Sequence, residues 1–359
     1  MSYCRTVENR MNPTEGLSGK QEYRQVFSGG IVKIIYAAAL TVTFLLSPPV
    51  LGHHSSSIYD AESVLTLQGT VLRYEWKNPH VYIYIEVEGE AGSQPVEWEL
   101  EGGSTPLMSR GGWTPTTVTS GDAVAARVNP NKNPVTRNAW LLGLSKEDGT
   151  SVTRWTSGVT SDVPANEISG VWDGLKGYQE LSFTRGELTE RGATGQANYD
   201  ESQNPVKDCI AAPLPMLTYM PYRSEIEVRD DEVLIKSEYF SVERIIYMDG
   251  REHPEGAERT NQGHSIGHWD GDSLVVSTTL FTDNPTGNSS GIPSGAQKHV
   301  TEKFTLSESR TQLKVEFSVE DPEFMAEPAT GEVVLDHVPD REMSPFECEL
   351  EIARRYTLE

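Results

Sequence analysis

Gly263-His264-Ser265-Ile266-Gly267-His268-Trp269-Asp270-Gly271-Asp272-Ser273-Leu274-Val275-Val276-Ser277-Thr278-Thr279 is the stretch on which the fold reading turns. Asp-Gly between two runs of strand-forming residues is a strong signal for a two-residue hairpin. With Asp270-Gly271 at a type I′ turn, His268 lies opposite Ser273, Ile266 opposite Val275 and His264 opposite Ser277. One face then carries His264, Ile266, His268, Ser273, Val275 and Ser277. The other carries Gly267, Trp269, Leu274 and Val276. Two arrangements satisfy this pattern: the mixed His/Ser face lines an interior, or the Trp269/Leu274/Val276 face is the core and both histidines face solvent.

Outward from this hairpin, strand-like runs recur at short intervals: Ser224–Val228, Glu232–Tyr239, Val242–Met248, His299–Leu306, Gln312–Val319, Thr330–Leu335 and Glu347–Tyr356. With the hairpin they make nine strands, separated by Asp-Asp, Asp-Gly and Ser-Glu-Ser turns. An antiparallel meander of that size removes its exposed edges by closing on itself, so a lipocalin-like barrel is expected over residues 167–359. Leu188 to Tyr222, rich in Pro, Gly and Asn, reads as a long lid or wrapping loop. Upstream, Leu65–Trp76, Val81–Val87, Val96–Leu100, Ala123–Val128 and Ala139–Leu144 read as strands, with a short helix at Ser104–Arg110 where Pro106 suits the first turn. Five strands and one helix predict a small OB-like barrel over residues 53–145. The polar, turn-forming residues 146–166 read as a linker, and the whole as an all-β protein.

Residues 31–46 form an apolar run with Lys20 and Arg24 before it and Lys33 near its start, ended by Ser47-Pro48-Pro49. Val50-Leu51-Gly52 after it suits signal peptidase, so residues 1–52 read as a signal peptide with a long basic region. A stable membrane anchor is not expected, because spanning needs about 20 apolar residues. The expected location is the periplasm or outside the cell. Cys209 and Cys348, the two cysteines left after cleavage, read as a disulfide, with two buried free thiols as the alternative. The 359-residue chain has 53 acidic and 30 basic residues, a net charge of −23, which becomes −25 once residues 1–52 are removed. That balance excludes a nucleic-acid binder, which needs a basic stripe.

Candidate chemistry falls in three places. On the hairpin, His264 is an acid/base candidate, since histidine titrates near neutrality. His264 and His268 are four positions apart on one strand, about 13 Å, and so do not share a metal ion. On the neighbouring strands, Arg244 alternates with Val242 and Ile246, so its guanidinium projects from an apolar face and needs a carboxylate. Glu238 and a ligand carboxylate are the two partners considered, and Tyr239 stands beside them. At the expected new N-terminus, His53 and His54 with the free amine form a favourable Cu(II) set, and His80 is a candidate third ligand. G-x-S-x-G, Walker, H-E-x-x-H, C-x-x-C and G-x-G-x-x-G motifs are missing, which disfavours serine hydrolases, kinases, zinc proteases and dinucleotide enzymes.

His53-His54-Ser55, Leu67-Gln68-Gly69-Thr70-Val71 and Trp76-Lys77-Asn78-Pro79-His80-Val81 resemble an uncharacterised family of small exported bacterial proteins that begin with His-His-Ser and carry W-x-N-P-H-V. Met220-Pro221-Tyr222-Arg223-Ser224-Glu225, Arg244-Ile245-Ile246-Tyr247-Met248-Asp249-Gly250 and the hairpin resemble a second uncharacterised group of exported domains, in which a basic residue often stands where His268 does. The resemblance implies export and this two-part architecture and brings no activity with it. The resulting expectation is an exported protein holding a small, partly apolar molecule in its C-terminal barrel. His264, Arg244, Glu238 and Tyr239 would line the polar part of the cavity and could support acid/base catalysis, with no cofactor. The alternative is a copper-binding or scaffold protein using His53, His54 and His80.

Overall fold

A computed structural model describes residues 58–89, 93–154 and 161–355. The expected signal segment and His53 and His54 lie outside the described residues. The strands are β1 (Leu65–Glu75), β2 (Tyr82–Val87), β3 (Val96–Glu101), β4 (Ala123–Pro130), β5 (Asn138–Lys146) and β6 (Ser151–Thr153) in a first sheet. A second sheet holds β7 (Gly170–Asp173), β8 (Ser182–Thr184), β9 (Arg223–Val228), β10 (Glu232–Ser237), β11 (Glu243–Tyr247), β12 (His264–Asp270), β13 (Ser273–Thr279), β14 (His299–Leu306), β15 (Gln312–Glu320) and β16 (Ala329–His337). Among the described residues no helix is long and apolar enough to cross a membrane.

The first sheet closes in the order β1-β2-β3-β5-β4, with β3 and β5 parallel, which is the Greek-key order of an OB barrel. Val71, Ile83, Ile85, Leu100, Ala126 and Leu141 fill it. The expected helix spans Thr105–Arg110 and buries Met108 against that core. Strand β2 is buried on both faces: Ile83 and Ile85 point inward, while Tyr82 and Tyr84 pack outside against Ile352. Burial on two faces removes the polar half of the alternation, which is why its pattern is weak in sequence. Strand β6 falls within the segment expected to be a linker but pairs with β5, and Ala165 and Ile168 join the core of the larger barrel.

The second sheet closes through β15–β16 pairing into a nine-stranded, lipocalin-like barrel, with β8 pairing beside β7 on the same edge of β16. Its ninth strand is β7, only four residues long, and not the expected Glu347–Tyr356. That segment instead contains a helix, Leu350–Arg355, with Ile352 and Ala353 buried and two arginines in its last turn complementing the helix dipole. The meander is also broken once, because β12 runs parallel to β11.

The hairpin register differs from expectation by one turn position. Asp270 pairs with Ser273, so the loop is Gly271-Asp272, with Gly271 at φ +60°. A left-handed first loop residue is what a type II′ turn requires, and glycine meets it without steric cost. Moving the turn by one residue changes each partner by two, which preserves the faces. Ser265, Leu274, Val276 and Thr278 are buried inside the barrel, whereas His264 and His268 lie on the outer wall. Of the two arrangements, the core takes the apolar Leu274/Val276 face and leaves both histidines on the outer wall, although Trp269 of that face is 45% exposed at the hairpin end.

Segment 188–222 wraps one end of the barrel. It begins with a helix, Glu190–Ala197, whose Thr189 cap accepts the Gly192 amide, and it buries Leu214, Leu217, Tyr219 and Tyr222 in the barrel core. Cys209 and Cys348 form a disulfide, with Cα atoms 5.9 Å apart. Bridges of this kind persist in oxidising compartments.

Candidate functional site

A cavity of about 520 Å³ lies where the small barrel, the wrapping segment and the large barrel meet. Pro79 and His80 line it from the small barrel, and Ile210 to Pro213 with Met216 line it from the wrapping segment. Tyr219, Tyr222, Tyr239 and Phe240 form an aromatic wall, with Tyr178, Glu201 and Asn284 also in the lining. A volume in this range suits a small organic molecule.

The aromatic wall is built by an unusual turn. Phe240 and Ser241 follow β10 with φ of 55° and 51°, a left-handed pair that costs side-chain-bearing residues roughly 1–2 kcal/mol each. The turn sets the Tyr239 ring 5.0 Å from Tyr222 and 4.6 Å from Phe240, the latter edge-on, and stacks Phe240 on Phe346 at 4.5 Å. Burial pushes the Tyr219 phenol up to about 12 and holds Tyr222 further above its ordinary value. Both phenols are therefore neutral donors at physiological pH. The Tyr222 hydroxyl donates to Ser104 Oγ at 2.9 Å, tying the two barrels together behind the cavity.

His80 is held by a buried carboxylate. Its Nδ1 lies 2.8 Å from Glu101 Oε1 and 2.9 Å from the Gly102 carbonyl, and Glu101 Oε2 accepts the Tyr59 hydroxyl at 2.6 Å. Glu101 is only 2% exposed. A carboxylate on Nδ1 fixes the ring's orientation and tautomer at the cavity wall.

The four residues expected to form a catalytic set do not converge. Tyr239 lines the cavity. Glu238 is buried behind it, binding Arg110 Nη2 at 2.5 Å and the amides of Arg223 and Ser344. Arg244 does point inward, but its partner is Glu302 at 2.6 Å, three strands along the wall on β14 and not on the preceding strand. Ser265 and Thr278 accept its other bonds, and Thr218 from the wrapping segment donates to Glu302 at 2.6 Å. This ion pair is buried within the barrel, among the residues of its apolar core. His264 lies on the outer wall, stacked on Tyr247, with Nδ1 3.0 Å from His253 Nδ1. His253 reaches Ser277 Oγ at 3.1 Å, and Ser277 reaches His299 Nε2 at 2.9 Å. Partial burial holds both His253 and His264 below the ordinary histidine value, with neighbouring histidines adding to the shift at His253 and Arg251 at His264. Among the described residues no group of three or more His, Cys, Asp or Glu side chains is placed to hold a metal ion.

Sequence reasoning missed Tyr178, Tyr219, Tyr222, Phe240 and Glu201. The available signal was the aromatic content of Leu214-Pro215-Met216-Leu217-Thr218-Tyr219-Met220-Pro221-Tyr222, which is high for a solvent-exposed loop. In the large barrel's connecting loops, Lys298 is fully buried, donates to the Leu214 and Gly287 carbonyls at 2.6 and 2.5 Å, and is pushed down to about 7 by burial. It pins the wrapping segment to the loop that carries Asn284 and Ser289.

A search of curated proteins finds no match for the chain. Among solved structures, a secretary abundant heat soluble protein from Ramazzottius varieornatus is similar at 12% identity and a TM-score of 0.24, covering 48% of this chain and 98% of that one. A protein of unknown function from the DUF3598 family of Nostoc punctiforme is similar at 11% identity and a TM-score of 0.23, covering 76% of this chain and 95% of that one. Residues 43–139, the stretch containing both His80 and Glu101, match a family of unknown function, DUF6152.

Proposed function

We propose that this chain is an exported binding protein for a small, partly apolar molecule, held in the cavity at the mouth of the large barrel and not in its lumen. The observation that carries this reading is the 520 Å³ cavity with its wall of four buried or half-buried aromatic rings. Deep apolar cavities with a few fixed polar groups are the usual form of small-molecule sites. The apolar run before Gly52 and the Cys209–Cys348 bridge support export. The His80–Glu101 pair supplies an acid/base group to the same cavity, so proton-transfer chemistry on the ligand belongs to this reading.

The test uses Nile red, a neutral dye that brightens in apolar sites. The wild-type protein should enhance its emission saturably. Ala212→Trp, which fills the cavity from a position only 7% exposed, should weaken binding at least about tenfold. Equal binding by this variant, with its fold intact by circular dichroism, would sink the assignment. Native mass spectrometry of protein from its own host then identifies the retained molecule.

A further inference from the structure

Resting on the binding site just proposed, we infer that its ligand is an organic cation, an amine or quaternary ammonium on a partly apolar body, recognised by tyrosine faces and Glu201. The cavity lining carries five benzene-type rings and one carboxylate, and among the described residues no lysine or arginine lines it. The rings do not form a parallel stack. Tyr222 and Tyr239 are tilted by 41°, and Tyr239 and Phe240 by 73°, so the rings present both edges and faces to one another along the wall. A lining rich in aromatic rings attracts cations wherever a ring face is open to the ligand, most strongly where water is excluded.

Glu201 is held in place for this role, since it accepts the Tyr199 hydroxyl at 3.1 Å and the Asn204 side-chain amide at 2.5 Å. The nearby guanidiniums are engaged by other groups. Arg154 stacks over Trp140 at 4.3 Å, and Arg185 bonds Ser290. Tyr219 and Tyr222 stay neutral, so they offer ring faces and hydroxyls without a competing anion for a cation to neutralise. The chain's net charge of −23 adds a long-range field that draws cations toward the surface and repels anions.

Three probes of nearly equal shape separate charge from size: choline, its neutral carbon isostere 3,3-dimethylbutan-1-ol, and the anion 3,3-dimethylbutanoate. In displacement of Nile red, choline should act at about tenfold lower concentration than the alcohol, and the anion should act last. Glu201→Gln, at a half-buried position, and Tyr178→Leu, at an exposed one, should each narrow the choline-to-alcohol ratio, with both displacements referred to that variant's own Nile red affinity. Displacement by the alcohol at an equal or lower concentration than choline overturns the cation assignment and leaves the binding site standing. So does failure of all three probes while Nile red still binds and Ala212→Trp still blocks it. Absence of any Nile red signal overturns the site and this inference together.

Discussion

Replacing both Cys209 and Cys348 by serine opens a covalent loop with a sequence separation of 139 residues. On the chain-entropy relation a loop of that length restricts the unfolded chain by about 5 kcal/mol at 25 °C, so the variant should lose stability of that order. The loss has a local signature as well. Ile210 to Pro213, the cavity wall, directly follow Cys209, and the helix Leu350–Arg355 directly follows residue 349 after Cys348. Without the bridge, the wall is held by Asn261 and Gln262, which donate to the Ala211 and Ala212 carbonyls, and by Lys298 on the Leu214 carbonyl. Equilibrium urea unfolding, followed by tryptophan fluorescence and by circular dichroism, measures the global loss, and Nile red affinity at zero denaturant measures the local one. A double variant within about 1 kcal/mol of the wild type would refute the entropic argument. A stability loss with unchanged dye affinity would refute the coupling of the bridge to the cavity wall.

Two further predictions concern the barrel. Glu302→Gln removes the charge facing Arg244 in a site where the two side chains are 0% and 4% exposed, and should cost about 3–5 kcal/mol in denaturant unfolding. Arg244→Met combined with Glu302→Leu should cost markedly less, because no charge is then left buried. His253 and His264 are held below the value of about 6.5 that they take in the unfolded chain. Between that value and their lower folded values the unfolded chain binds more protons, so stability should fall as pH drops below about 6.5 and level off beneath the folded values. The variant His253→Gln/His264→Gln should flatten this part of the pH profile, and an unchanged slope would assign it to other groups.

Much of the architecture is legible in the residues themselves. Eight of the expected strands of the large barrel are present, because each is a short β-branched or aromatic run ended by a turn residue. The ninth is not legible: Gly170–Asp173 is too short to show a period, and it becomes a strand through pairing with β9 and β16. The Glu-Cys-Glu-Leu-Glu-Ile alternation at the other end of the domain fits a strand as well as one turn of helix, and docking of Ile352 on Tyr82 and Tyr84 decides for helix. At the candidate site, Arg244 could be read as inward-facing, but its partner could not. Glu302 lies on β14, three strands along the sheet, and only the assembled β11–β14 wall brings it to Arg244. The cavity is least legible of all, since Pro79, Ala212, Tyr239 and Asn284 share no local pattern and meet only after both barrels have formed.

The docking of the C-terminal helix also sets an order of events. Until residues 348–355 arrive, Tyr82 and Tyr84 present an apolar outer face on the small barrel, Asn78 lacks its bridge to Cys348, and Arg355 cannot reach Glu75 or the Tyr84 hydroxyl. A chain cut before residue 348 would leave this apolar patch uncovered, so C-terminally clipped molecules should aggregate more readily than the full chain.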